Sequence, residues 1–197
     1  MPIRRSLPLA LAAVLGASLT PSAFAQAPRP PQSVESARAQ SQTVADMRNV
    51  GTALFSWVTD QLGDDDNPQT ADPEAGKTCI SWKQEKDGAQ SETCESIEID
   101  RLPVISYQEL AKLLVPDYIK VLPEKDGWGN PFEFRLDRKH LLNKSVMAIR
   151  STGSDGTFSG SRYKIGGFLP VESNQDLVWM DGFFMRWPER KPVKEPQ

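Results

Sequence analysis

The sequence predicts an α+β fold, in which a long N-terminal helix packs on a small antiparallel sheet. Three observations predict it. Apolar residues recur at three- and four-residue steps between Val44 and Leu62. From Pro131 onward the apolar period falls to two. Near the C-terminus, Asp181-Gly182 separates two apolar runs, the pattern of a tight hairpin.

The N-terminus reads as a cleavable secretory signal over residues 1–25. Arg4 and Arg5 form a positive start, Leu7 to Leu19 is an apolar stretch, and Ala23-Phe24-Ala25 puts small residues where a signal peptidase reads them. The apolar run is shorter than the roughly 20 residues a bilayer span needs. No cysteine follows it to carry a lipid. An exported, periplasmic or secreted protein with no membrane span after cleavage is expected. Without Arg4 and Arg5, the 23 basic side chains fall to 21 against 26 acidic ones. That balance offers no basic face for nucleic acid and makes a cation a more natural ligand than an anion.

Pro28, Pro30 and Pro31 mark an extended linker, 26–40. The first helix, starting near Ser33 or Ser36 and ending at Gln61, carries Met47, Val50, Leu54, Trp57, Val58 and Leu62 on one stripe, with Val44 and Gly51 beside them. Gly63 and the Asp64-Asp65-Asp66-Asn67-Pro68 run stop it. Residues 63–96 are polar and turn-rich, with too few apolar side chains for a core of their own. They contain the only cysteines, Cys79 and Cys94. In an oxidising compartment this pair is expected to form a disulfide that shapes the segment. The triple aspartate lacks the alternating ligand positions of an EF-hand and reads as a solvated loop.

Ser106 and Glu109 form a capping box for a short second helix, with Leu110, Leu113 and Leu114 as its apolar face and Pro116 at its end. Phe132 and Phe134 then alternate with charged residues, and Val146, Ala148 and Arg150 outline the next strand. Asp181-Gly182 links the last two, both turn positions wanting positive φ. Three or four antiparallel strands are expected. The domain is placed at 41–188, with a frayed tail at 189–197.

Catalytic patterns are wanting. The only histidine, His140, lies in a charged turn, exposed and with no partner in view. Gly153-Ser154-Asp155-Gly156 precedes no helix that could receive a phosphate. Two carboxylates could still meet in the fold, so an enzyme with scattered acids stays as a minor reading. The densest polar groups are the turn Lys125-Asp126-Gly127-Trp128-Gly129-Asn130-Pro131, the turn Ser151–Gly156, and Asn174-Gln175-Asp176. Asp side chains and carbonyls on loops held at both ends by strands suit a hard cation such as Ca²⁺. Asp is equally a favoured turn residue.

These residues, taken in order, resemble the major pseudopilins of type II secretion systems. The likeness rests on Ala45–Leu54, Pro116-Asp117-Tyr118-Ile119 with Leu122-Pro123, Asp126–Phe132, Arg150–Gly156, Asp176-Leu177-Val178, and Asp181–Phe184 with Trp187-Pro188. It covers roughly residues 40–62 and 107–188. It implies a pilin-like head with no catalytic activity, acting with other pseudopilins or secretion-system proteins. It also implies one calcium ion, with Asp155 and Asp176 as side-chain ligands and Thr152 and Ser154 supplying nearby oxygens. The chain departs from the family at its start: Gly16 is followed by Ala17, and no acidic residue precedes Glu35. A secretory signal thus stands where the family has a prepilin leader and a membrane-spanning assembly helix. The segment 79–94 reads as an insertion. The alternative is a binding module that reuses the fold, with 63–96 as its recognition surface.

Overall fold

A computed structural model of the chain describes residues 32–64, 70–72, 74, 76–84 and 92–189. The signal at 1–25, the start of the linker, Asp65 and Asp66 of the triple aspartate, and the tail beyond Glu189 lie outside the described residues.

Helix α1 runs Gln32–Leu62, about 46 Å at roughly 1.5 Å per residue. It begins within the region expected as linker, and Gln40 is already buried. The prolines end at Pro31, and Ser33–Gln40 holds no proline or glycine, so nothing there opposes helix. Met47, Val50, Leu54, Trp57 and Val58 form the buried stripe, whereas Leu62 is 45% exposed at the frayed end. Gly63 closes the helix by donating to the Thr59 and Asp60 carbonyls. Helix α2, Tyr107–Leu114, has the expected capping box: Ser106 Oγ accepts from the Glu109 N–H at 3.2 Å, and Glu109 Oε2 from the Ser106 N–H at 3.2 Å. Pro116 forces Val115 into extended backbone and ends the helix.

The main sheet has six strands: β3 (Val104–Ile105), β4 (Glu133–Leu136), β5 (Met147–Ser151), β7 (Gly166–Phe168), β8 (Leu177–Met180) and β9 (Phe183–Pro188), in the order β3-β4-β5-β8-β9-β7. Its pairs are antiparallel except β7 with β9. At the β8–β9 turn, Asp181 has φ 47° and Gly182 φ 101°, as a two-residue hairpin loop requires. Pro188 closes β9 opposite Phe168; it sits where only a short edge strand needs pairing.

One face of this sheet packs on α1 and α2 through Met47, Leu54, Leu110, Leu114, Phe134, Ile149, Leu177 and Trp179. Gly51 is needed for this approach, because a Cβ there would lie 2.4 Å from the Trp179 indole. The other face is covered by a second sheet, β1 (Cys79–Gln84), β2 (Glu92–Glu98) and β6 (Arg162–Lys164), in the order β1-β2-β6. Ile97 and Tyr163 from that layer, with Ile99 in the 3₁₀ turn that follows β2, pack on Ala148, Val178 and Met180. The described residues thus form a mixed α+β architecture with nine strands, more than the three or four expected.

Two of the additional strands, β1 and β2, come from the segment 63–96, which is not simply a turn-rich loop; β3, β6 and β7 are pieces of two or three residues. Strands β1 and β2 borrow a core from the main sheet instead of building one. Cys79 and Cys94 join β1 to β2 as a disulfide, with Cα atoms 5.9 Å apart. Among the described residues, no helix is long and apolar enough to cross a membrane.

Candidate functional site

The two glycine-rich turns singled out in the sequence are one structure. Asp126 is buried, and its Oδ1 accepts from the Trp128 N–H at 3.0 Å and the Asn130 N–H at 2.9 Å, which winds the first turn around one carboxylate. The turn seats on α1: the Gly127 N–H donates to Thr43 Oγ1 at 2.9 Å, and a Cβ on Gly127 would lie 2.1 Å from the Ala39 carbonyl oxygen. It also reaches the second turn. Ser151 Oγ donates to Asp126 Oδ2 at 2.6 Å, and Asn130 Nδ2 to the Gly153 carbonyl at 2.7 Å.

The second turn, Gly153–Asp155, is one turn of 3₁₀ helix with Gly153 at φ 66° and Gly156 at φ 71°. It packs on the segment before β8. A Cβ on Gly153 would lie 2.6 Å from the Ser173 carbonyl oxygen and 2.7 Å from that of Gln175. The Ser154 N–H donates to the Ser173 carbonyl at 2.8 Å. In the β5–β8 ladder Ser151 stands opposite Leu177. The next positions outward are Thr152 and Asp176, so the register sets these two across from each other.

Both are buried, Thr152 at 5% and Asp176 at 3% exposure. Asp176 Oδ2 is well supplied: it lies 2.9 Å from the Ser159 N–H, 2.8 Å from Ser159 Oγ and 2.7 Å from the Tyr163 hydroxyl. Among the described residues, its other oxygen, Oδ1, has no hydrogen-bond partner, and neither has Thr152 Oγ1. A buried polar atom without a partner costs about 1–3 kcal/mol, so two at neighbouring positions call for an occupant. An all-oxygen set of carboxylate, hydroxyl and nearby carbonyls matches the preference of a hard cation.

The other two expected ligands face elsewhere. Asp155 is exposed and accepts from the Thr157 N–H at 3.1 Å; Ser154 Oγ lies 3.0 Å from Ser173 Oγ. Among the described residues, no three of His, Cys, Asp and Glu gather as a metal-ligating cluster. Of the four expected ligands, only Asp176 and Thr152 present buried oxygens without a partner among the described residues.

Behind the site runs an ionic chain. Arg150, 6% exposed, holds Glu133 by two bonds, Nε to Oε1 at 2.8 Å and Nη2 to Oε2 at 2.9 Å. It also donates to the Gly160 carbonyl and lies 3.1 Å from the Tyr163 hydroxyl, with its guanidinium over the Phe158 ring. Arg135 Nε shares Glu133 Oε1 with Arg150, and its other nitrogens reach Asp100 and the Leu102 carbonyl. Burial opposes ionisation of Glu133, but the Arg150 and Arg135 guanidiniums outweigh it and hold the carboxyl below its ordinary range. Burial, then the Asp176 carboxylate, push the Tyr163 phenol well above its ordinary value, so it keeps its proton for donation.

Sequence reasoning missed Ser159, Tyr163 and this ionic chain. The only signal was the position of Arg150 within a strand pattern. It also placed His140 in the open without a partner. The ring is half-buried, and Nδ1 lies 3.0 Å from Asp137 Oδ2, whose other oxygen caps the Lys139 and His140 N–H groups. A tight turn with an Asx cap explains this His without chemistry. Elsewhere, a groove of about 990 Å³ lies between α1 and β9, walled by Val44, Phe184, Trp187 and Pro188 with Arg48 and Glu189 at its rim.

No protein-family model matches the chain, and no curated protein or solved structure matches it significantly.

Proposed function

We propose that this protein is an exported, non-catalytic structural or interaction component of pseudopilin type, working beside a type II secretion machine and steadied by one calcium ion. The order of its motifs supports the reading, as does an architecture of long helix on mostly antiparallel sheet. The observation that carries it is the pair of buried, unpartnered oxygens, Thr152 Oγ1 and Asp176 Oδ1, at the end of the β5–β8 ladder. Calcium there would tie the Gly153–Asp155 turn to the segment before β8; Asp155 would have to give up its bond from the Thr157 N–H to join as a second carboxylate. The ion's role is to fix these loops; no reaction is assigned to it.

The test is thermal unfolding of the purified, exported protein in chelator and in calcium. Calcium at a hundredfold excess over its Kd adds about 2.7 kcal/mol, which raises the midpoint by several degrees at this size. An unchanged midpoint, with no metal by elemental analysis, sinks the calcium assignment. For the secretion role, a strain lacking the gene should release less of its extracellular enzymes. A normal extracellular profile, with a small ligand co-purifying with the protein, would replace this reading by that of a binding module.

A further inference from the structure

We infer that Tyr163 is a positioning residue for the cation, and that through it the disulfide-bonded layer is part of the site. The inference rests on the calcium reading above. A carboxylate can turn either oxygen, or both, toward a metal. In Asp176 that choice is removed. Ser159 N–H, Ser159 Oγ and the Tyr163 hydroxyl converge on Oδ2 at 2.9, 2.8 and 2.7 Å, leaving Oδ1 as the single oxygen for a ligand. The phenol has one proton and two acceptors in reach, Asp176 Oδ2 at 2.7 Å and the Gly160 carbonyl at 2.9 Å. The charged acceptor is the nearer and the stronger.

The hydroxyl is itself held in place. Arg150 Nη1 donates to the Gly160 carbonyl at 2.8 Å and lies 3.1 Å from the Tyr163 oxygen, while its guanidinium packs 3.7 Å from the centre of the Phe158 ring. The loop through Phe158, Ser159 and Gly160 is therefore held from two sides, by Asp176 Oδ2 at Ser159 and by Arg150 at Gly160 and Phe158. Tyr163 belongs to β6, where it pairs with Ile97 of β2, the strand that carries Cys94. The ring packs on Ala148 and Val178 of the main sheet. One side chain thus fastens the second layer to the loop that presents the cation ligand. Second-layer groups that orient a metal ligand typically matter by 10–100-fold in affinity, as a rough range.

The experiment is calcium titration by calorimetry of the wild-type protein, Tyr163→Phe and Tyr118→Phe. The last removes another phenol, one that donates to Asp60 far from the site. The expected result is wild-type affinity in Tyr118→Phe and affinity about ten- to a hundredfold weaker in Tyr163→Phe, with a smaller calcium-dependent rise in its melting midpoint. Should Tyr163→Phe fail to fold, Ser159→Ala removes a different donor from the same Oδ2 and should weaken binding in the same direction. Calcium binding by the wild type with unchanged affinity in the folded position-163 variant, or in Ser159→Ala where that variant does not fold, overturns the inference alone. No calcium binding by the wild type overturns the cation reading, and the inference with it.

Discussion

The two faces of the six-stranded sheet are closed in opposite ways. Toward α1, strands β4, β5 and β8 present Phe134, Ile149, Leu177 and Trp179 to an apolar helix stripe. Toward the disulfide layer, the alternate positions of β4 and β5 carry Glu133, Arg135 and Arg150, with Glu133 directly across from Arg150 in the ladder. Arg135 and Arg150 are buried and Glu133 is half-buried, yet each charge has a partner. An apolar face is forgiving, since its contacts are many and individually weak. An ionic face is not. Pairing barely offsets the cost of desolvation, and loss of one partner leaves a buried charge exposed to that cost.

The largest expected effect follows from this difference. Glu133→Gln leaves Arg150 and Arg135 facing each other without their shared carboxylate, and should destabilise the fold by about 3–5 kcal/mol. Urea unfolding at neutral pH measures it. The wild type should show the matching pH signature. With its folded pKa below the ordinary glutamate value of 4.5, Glu133 contributes stability fully present above that value and lost as pH falls through the folded pKa. In the variant that acid-side loss should shrink. A variant as stable as wild type would mean that the ionic face works as a surface, contrary to its burial.

Severing the second layer from itself comes next. Replacing Cys79 and Cys94 with Ser opens a loop whose ends are 15 residues apart, worth about 3 kcal/mol in the chain-entropy account. Because the bridge lies wholly within β1 and β2, the damage should be local. Hydrogen exchange should quicken in β2 and β6 while α1 keeps its protection. Equal loss of protection in α1 would show that the two faces unfold as one unit. In the native, unreduced protein a maleimide should label neither cysteine.

The same contrast explains what was legible in the sequence. The α1 stripe, the capping box at Ser106 and Glu109, and the Asp181-Gly182 turn are local rules, complete within a few residues, and each reappears in the fold. The layer β1-β2-β6 obeys none. β6 is three residues long, and the segment 63–96 has no apolar period because its core is supplied by Ala148, Val178 and Met180. Charges at strand positions read as solvent-facing, so Glu133, Arg135 and Arg150 gave no hint of burial. At the site, the turns stood out by residue type, whereas Thr152 and Asp176 were singled out, with Asp155 and Ser154, only by the resemblance to pseudopilins. Ser159 and Tyr163 lie 17 and 13 residues from Asp176 in sequence, and no spacing rule links them. Asp155 stood out as strongly as Asp176, yet it is exposed and turned to its own backbone.

The smallest effect concerns Asp181, a carboxylate whose pH behaviour is the reverse of that of Glu133. Among the described residues, no cation beside it matches the role of Arg150. Its Oδ1 accepts from the Val146 and Met147 N–H groups, each at 3.0 Å. Burial raises its pKa, and those N–H bonds, with Ser145, only partly offset the rise. The sign therefore inverts. With a folded pKa above the unfolded one, the ionised form costs stability at neutral pH, and that cost disappears as pH falls below the unfolded value. Asn at this position keeps an oxygen for both N–H groups and tolerates the positive φ, but carries no charge. Asp181→Asn should match or exceed the wild type at pH 7, by up to about 1 kcal/mol, and lose that advantage in acid. Asp181→Ala leaves both N–H groups without their acceptor and should be destabilised at every pH, by about 1–3 kcal/mol. Thermal midpoints of the three proteins across the acid range decide it. If Asn costs as much as Ala at pH 7, the negative charge itself holds the hairpin to β5, and the two carboxylates do not differ in the way the two faces of the sheet suggest.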